Sequence, residues 1–136
     1  MRYLSKDDLL DLHAFAVTRY GGRLGIASQD GLSRVVDAPR QVMFSSELYP
    51  DLPSKAAALV FLLVKSRPFL AANETTALLA LLRFLDLNDA ELDLSVSDAE
   101  LLWLVRSINQ GDLDREGIEA WLRQNIATPA RGENRS

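Results

Sequence analysis

Ten residues in the middle of the chain carry most of the chemistry the sequence offers: Arg67-Pro68-Phe69-Leu70-Ala71-Ala72-Asn73-Glu74-Thr75-Thr76. They interrupt one apolar helix and open another. Free backbone N–H groups at the start of the second helix form a site for an anion. Arg67 at the other end of the loop adds a permanent positive charge, and Thr75 and Thr76 complete the remnant anion site this spacing allows. Glu74 works against it, because a carboxylate in the first turn can occupy the helix end itself. Two readings stay open: a capped helix with an internal salt link, and a pocket for an anionic ligand. Elsewhere candidates are few. His13 is the only histidine and there is no cysteine, which excludes a His-rich metal site, a Cys-ligated zinc, a disulfide framework and a thiol nucleophile.

The elements that must position this loop read as helix after helix. Ser5, followed by Asp7 and Asp8, is an N-cap with acidic residues in the first turn. Leu9, Leu12, His13, Ala16 and Tyr20 then recur at spacings of three and four, and Tyr20-Gly21-Gly22 ends the helix. After a loop over residues 23–30, a short helix sets Leu32, Val35 and Val36 on one side and ends near Pro39. Residues 40–53 read as irregular. Ser54 is the expected cap of a helix over 55–66 that is apolar almost all round, which belongs in the middle of a bundle. A second apolar helix spans about 74–87, and the two should pack antiparallel. Ser97 and Glu100 have capping-box spacing ahead of a helix carrying Leu101, Leu104, Val105 and Ile108. A last helix over 114–125 places Ile118, Trp121 and Leu122 together. The prediction is an all-α, compact single-domain bundle of about six helices over residues 1–126, with a disordered tail over 127–136.

Bulk composition agrees with an ordinary globular chain. The 136 residues are 48% apolar and 25% charged, with 15 Lys+Arg against 19 Asp+Glu and a formal charge of −4. The acidic balance and the lack of a basic amphipathic stripe argue against nucleic acid and membrane as partners. No apolar run approaches a spanning length, and residues 1–20 place Asp7, Asp8 and Asp11 where an export signal would be apolar. A cytoplasmic location is therefore expected, and the sequon Asn73-Glu74-Thr75 is coincidental.

Leu12-His13, Arg19-Tyr20-Gly21-Gly22, Tyr49-Pro50-Asp51-Leu52 and Lys55-Ala56-Ala57-Ala58 together resemble the Doc ("death on curing") branch of the Fic/Doc family, over about residues 3–125. The resemblance implies a compact helical bundle and the toxin half of a toxin–antitoxin pair. Active relatives transfer a phosphoryl or nucleotidyl group from a nucleotide, with Mg²⁺, to a protein hydroxyl, and the Doc branch is associated with phosphorylating a translation factor. The family's diagnostic motif runs roughly His-Pro-Phe-x-Asp-Gly-Asn-Lys-Arg-Thr. Here Pro68, Phe69, Asn73 and Thr76 match, whereas Arg67 stands for the histidine, Ala71 for the acid, Ala72 for the glycine, and Glu74-Thr75 for the Lys-Arg pair.

Each exchange removes a function. A general base needs a pKa near working pH, and arginine stays protonated. Mg²⁺ wants carboxylate oxygen, which Ala71 lacks. Exchanging Lys-Arg (+2) for Glu74-Thr75 (−1) shifts the loop by three charge units against a nucleotide. His13 aligns with a Leu-His pair that active relatives also carry, so a structural, hydrogen-bonded role is expected for it. The sequence thus points to a pseudoenzyme with no intact catalytic residue and no cofactor, retaining the fold and an antitoxin partner. The alternative is a residual or altered transferase. Inhibition by an antitoxin helix implies an apolar groove with a polar rim, for which Phe44, Leu48, Tyr49 and Phe69 are candidates and, equally, candidates for core. Trp103 and Trp121 are expected to pack.

Overall fold

The computed structural model describes residues 1–127. Its centre is a pair of helices, α3 (Leu52–Ser66) and α4 (Asn73–Leu87), joined by six residues and therefore antiparallel neighbours. Neither has a continuous polar face. α3 buries nine of its fifteen residues, from Ser54 to Val64, and α4 buries Asn73, Thr76, Ala77, Ala80, Leu81, Phe84 and Leu85. Four of the buried side chains, Ala56, Ala57, Ala77 and Ala80, are small enough to let the backbones approach closely.

Around this pair lie α1 (Lys6–Tyr20), α2 (Gln29–Asp37), α5 (Asp98–Gln110) and α6 (Arg115–Asn125), giving six α-helices among the described residues. Side-chain caps start each of these outer four: Ser5, Ser28, Ser97 and Asp114 accept from backbone N–H groups of the first turn. α1 buries Leu9, His13 and Ala16, as its spacing predicts, but Tyr20 lies outside that stripe and is exposed. The tail expected over 127–136 falls, from residue 128 on, outside the described residues.

Two details differ from the sequence reading. The cap of α3 is Asp51, not Ser54. Asp51 Oδ1 accepts from the Ser54 N–H at 3.2 Å and Ser54 Oγ accepts from the Asp51 N–H at 3.2 Å, so the helix starts three residues earlier. Pro53 then falls in the first turn, where its missing N–H costs nothing. The second difference is two short antiparallel strand pairs. β1 (Val42–Met43) pairs with β2 (Ser46–Glu47) inside the stretch that reads as irregular, and β3 (Glu91–Leu92) pairs with β4 (Ile126–Ala127). Two-residue strands are too short to show alternation. The β1–β2 turn uses Phe44 and Ser45 at φ 51° and 66°, without the Asn-Gly that would announce it.

Lys55, which opens the apolar run, is itself buried. Its Nζ donates to the Pro39 carbonyl at 2.9 Å and to the Glu47 carboxylate, and it lies 5.5 Å from the centre of the Tyr3 ring. This ammonium joins the N-terminal segment, the turn that follows α2 and the hairpin. At the same end of α3, Arg123 of α6 forms a fork to both oxygens of Asp51 at 2.9 and 3.1 Å and also reaches Glu119 at 2.6 Å.

The Arg123 guanidinium, helped by the Ser54 bonds and opposed by partial burial, holds the Asp51 carboxyl down at about 2. A carboxylate depressed in the folded state stabilises above its ordinary value, and that stability is lost as pH falls toward the folded value. Asp51→Ala should therefore cost about 1 kcal/mol for the cap and less than about 1 kcal/mol for the half-exposed ion pair. In urea unfolding, the gap between parent and variant should narrow as pH falls from 3.8 to about 2.

Candidate functional site

The loop between α3 and α4 is held from its buried side. α3 terminates at Arg67, which adopts a left-handed backbone (φ 46°), and the chain turns inward through Pro68 and Phe69. Phe69 is 2% exposed and lies face to face with the His13 ring, with centroids 4.1 Å apart and planes 9° apart. Asn73 closes the loop with its own amide. Its Oδ1 accepts from the Phe69 N–H and its Nδ2 donates to the Phe69 carbonyl, both at 3.0 Å.

A second segment clamps the loop from the flank. The N–H groups of Ala27 and Ser28 donate to the Pro68 carbonyl at 2.7 and 3.1 Å, and the Leu70 N–H donates to the Gly25 carbonyl at 3.0 Å. The approach is close enough to require glycine. At Gly22 (φ 113°) a Cβ would meet that of Ala71 at 3.0 Å, and at Gly25 (φ 141°) one would meet Leu70 Cδ1 at 2.8 Å. His13 joins the clamp, since its Nε2 accepts from the Gly25 N–H at 3.2 Å. That bond puts the ring proton on Nδ1, which is buried and has no hydrogen-bond partner among the described residues. The expected structural role of His13 is what the geometry supports.

The exposed side of the loop is different. Ala72, the residue before α4, has φ 60° and ψ 30° and supplies no side-chain cap. Arg67, Ala72, Asn73, Glu74 and Thr75 line a pocket of about 250 Å³ at this helix start. Arg67 Nη1 donates to Asn109 Oδ1 at 3.3 Å and makes no ion pair with Glu74. The internal salt link therefore does not form, because Arg67 turns toward Asn109 on α5, and no side chain of the residue before α4 caps its start. Thr76 is also absent from the pocket. It is fully buried, and its Oγ1 has no partner among the described residues.

The groove candidates separate as well. Phe69 is core, Tyr49 lies beneath the Arg115 guanidinium at 5.0 Å, and Phe44 stands 94% exposed at the hairpin tip. An apolar groove adjoins the loop on another side, a cavity of about 350 Å³ lined by Tyr20, Leu78, Leu79, Leu82, Leu101 and Leu102. Thr75 lines both this groove and the loop pocket. Trp121 packs against the core as expected, whereas Trp103 is half exposed on the outer face of α5.

A family model described as Fic/DOC family matches residues 3–85, which include the whole loop. The chain belongs to the Fic/Doc family. It is also similar to Toxin Doc of Mycolicibacterium smegmatis, with 31% identity over 122 residues covering 88% of this chain and 90% of that protein. Within the matched segment, Ala72 holds its left-handed backbone with a Cβ in place.

Two measurements follow from this geometry. A left-handed residue other than glycine costs about 1–2 kcal/mol, so Ala72→Gly should stabilise the protein by about 1 kcal/mol in urea unfolding. Burial holds the His13 imidazole below its ordinary 6.5. The unfolded chain then binds the proton first, so stability is complete above 6.5 and falls as pH drops below it. His13→Gln should flatten that part of the stability–pH profile.

Proposed function

We propose that this protein is a cytoplasmic, Doc-like member of a bacterial toxin–antitoxin system whose transfer site is inert, and that it acts by binding a helical partner of the antitoxin type. One observation carries the first part. The buried half of the loop, Pro68, Phe69 and Asn73, keeps the family frame, while the side chains offered to its pocket are Arg67, Ala72, Glu74 and Thr75. Arg67 cannot accept a proton from an attacking hydroxyl. Position 71 offers no oxygen to Mg²⁺, and Glu74 brings a negative charge to the helix start where phosphate would lie. The residues do not fit a nucleotide–Mg²⁺ complex, and no transfer step is derived through one.

The second part rests on the groove between the end of α1, α4 and α5. Its leucines supply the apolar floor and Asp98 a polar rim, the combination an amphipathic helix needs. Through Thr75 it runs up to the loop pocket, so a helix seated there would end beside it. A residual or altered transferase is the alternative reading. It is favoured by the uncapped start of α4, which leaves backbone N–H groups open to the pocket.

Purified protein incubated with labelled ATP and cell extract should label no target. The variant Arg67→His, Ala71→Asp, Ala72→Gly, Glu74→Lys, Thr75→Arg should regain labelling if the frame is competent. Label transferred by the parent and lost in Arg67→Ala would establish the transferase instead. For the partner, a small helical protein encoded beside this one should co-purify with it, and Leu82→Glu with Leu102→Glu should abolish that association without lowering the melting temperature. Both leucines are exposed, so neither change opens the core.

A further inference from the structure

A second pocket, sharing no residue with the loop, lies at the base of the β1–β2 hairpin. Its volume is about 440 Å³, within the range of small-molecule sites. The floor is apolar, formed by Phe61 and Leu62 on α3. The rim is polar and comes from three other elements: Arg34 on α2, Gln41 and Tyr49 on the two sides of the hairpin base, and Arg115 at the start of α6. Among the described residues no acidic side chain lines it.

These rim groups differ in what they have left to give. Arg115 is committed: Glu119 lies at 2.7 Å, Glu116 at 3.9 Å, and its guanidinium sits over the Tyr49 ring. Among the described residues the Arg34 guanidinium, the Gln41 amide and the Tyr49 hydroxyl form no hydrogen bond or ion pair. One uncompensated positive charge and two neutral polar groups therefore face an apolar floor. The net charge of −4 gives no long-range attraction for anions, so any recognition of one must be local.

We propose that this pocket binds a small organic monocarboxylate with an aromatic or branched apolar body. The body lies on Phe61 and Leu62, the carboxylate meets the fork of Arg34, and Gln41 and Tyr49 supply the remaining donors. A phosphate monoester has the same apolar-body-and-anion layout but carries nearly two charges. With a single unspent cation among the described residues that line it, and with Glu116 and Glu119 beside Arg115, the site is matched to one charge.

The test is an NMR titration of the intact chain at low ionic strength with 3-phenylpropionate, its neutral amide and phenyl phosphate. 3-Phenylpropionate should give saturable shifts at Arg34, Gln41, Tyr49 and Arg115, and the amide and phenyl phosphate should bind more weakly. Arg34→Gln should weaken binding by about tenfold or more, the loss of a charged hydrogen bond. Arg34 is exposed and has no hydrogen-bond or ion-pair partner among the described residues, so the variant should fold. Tyr49→Phe, which keeps the ring under Arg115, should cost about threefold. No saturation by about 10 mM, equal binding of acid and amide, or unchanged affinity in Arg34→Gln would each overturn the proposal. Tightest binding by phenyl phosphate would overturn the monocarboxylate assignment and make the pocket a phosphate site.

Discussion

The arrangement of this protein depends on how Phe69 is held. Its ring lies on His13 and its backbone N–H and carbonyl are both bonded to the Asn73 amide. Phe69 follows the end of α3 and Asn73 begins α4, so these contacts set how the two central helices meet. His13 extends the constraint to α1, and through the Gly25 N–H to the segment that flanks the loop. A side chain that is stacked, buried and bonded at both backbone groups has no freedom to reposition. The loop is thus a rigid part of the core that reaches the surface along one side only.

That division separates frame from chemistry. The residues that hold the loop, Pro68, Phe69, Asn73 and Thr76, are buried. The side chains that reach the surface of the loop, Arg67, Ala71, Ala72, Glu74 and Thr75, are exposed or half-buried. Exchanging them changes charge and basicity at the pocket without opening a cavity in the core. A Doc-like fold can therefore persist while its transfer chemistry is lost, which is the physical basis of the proposed inert site. Lys55 and Asp51 do the corresponding work at the far end of α3. There one buried ammonium and one capping carboxylate join the hairpin, the turn after α2 and α6 to the central helix.

Much of the bundle was legible beforehand. Helical spacing marked α1, α5 and α6, and unbroken apolar runs marked α3 and α4 as central. The errors have a common cause, which is that competing partners cannot be counted along a chain. Ser54 and Asp51 both qualify as caps, and the choice of Asp51 depends on where the chain enters the helix. Arg67 and Glu74 could have formed a salt link across the start of α4, but Arg67 is spent on Asn109. The hairpin was missed because Phe44 and Ser45 carry no turn signature.

What the sequence by itself determined is the helix order, the apolar centre and the identity of every side chain at the loop, including a lone histidine at position 13. These are local properties, carried by composition and spacing. Only the tertiary structure decided that His13 stacks on Phe69, that Thr76 is buried while Thr75 faces a groove, and that Arg34 and Tyr49 share one pocket. Those outcomes depend on which faces meet and which polar groups are already satisfied, and both are settled only when distant segments pack together.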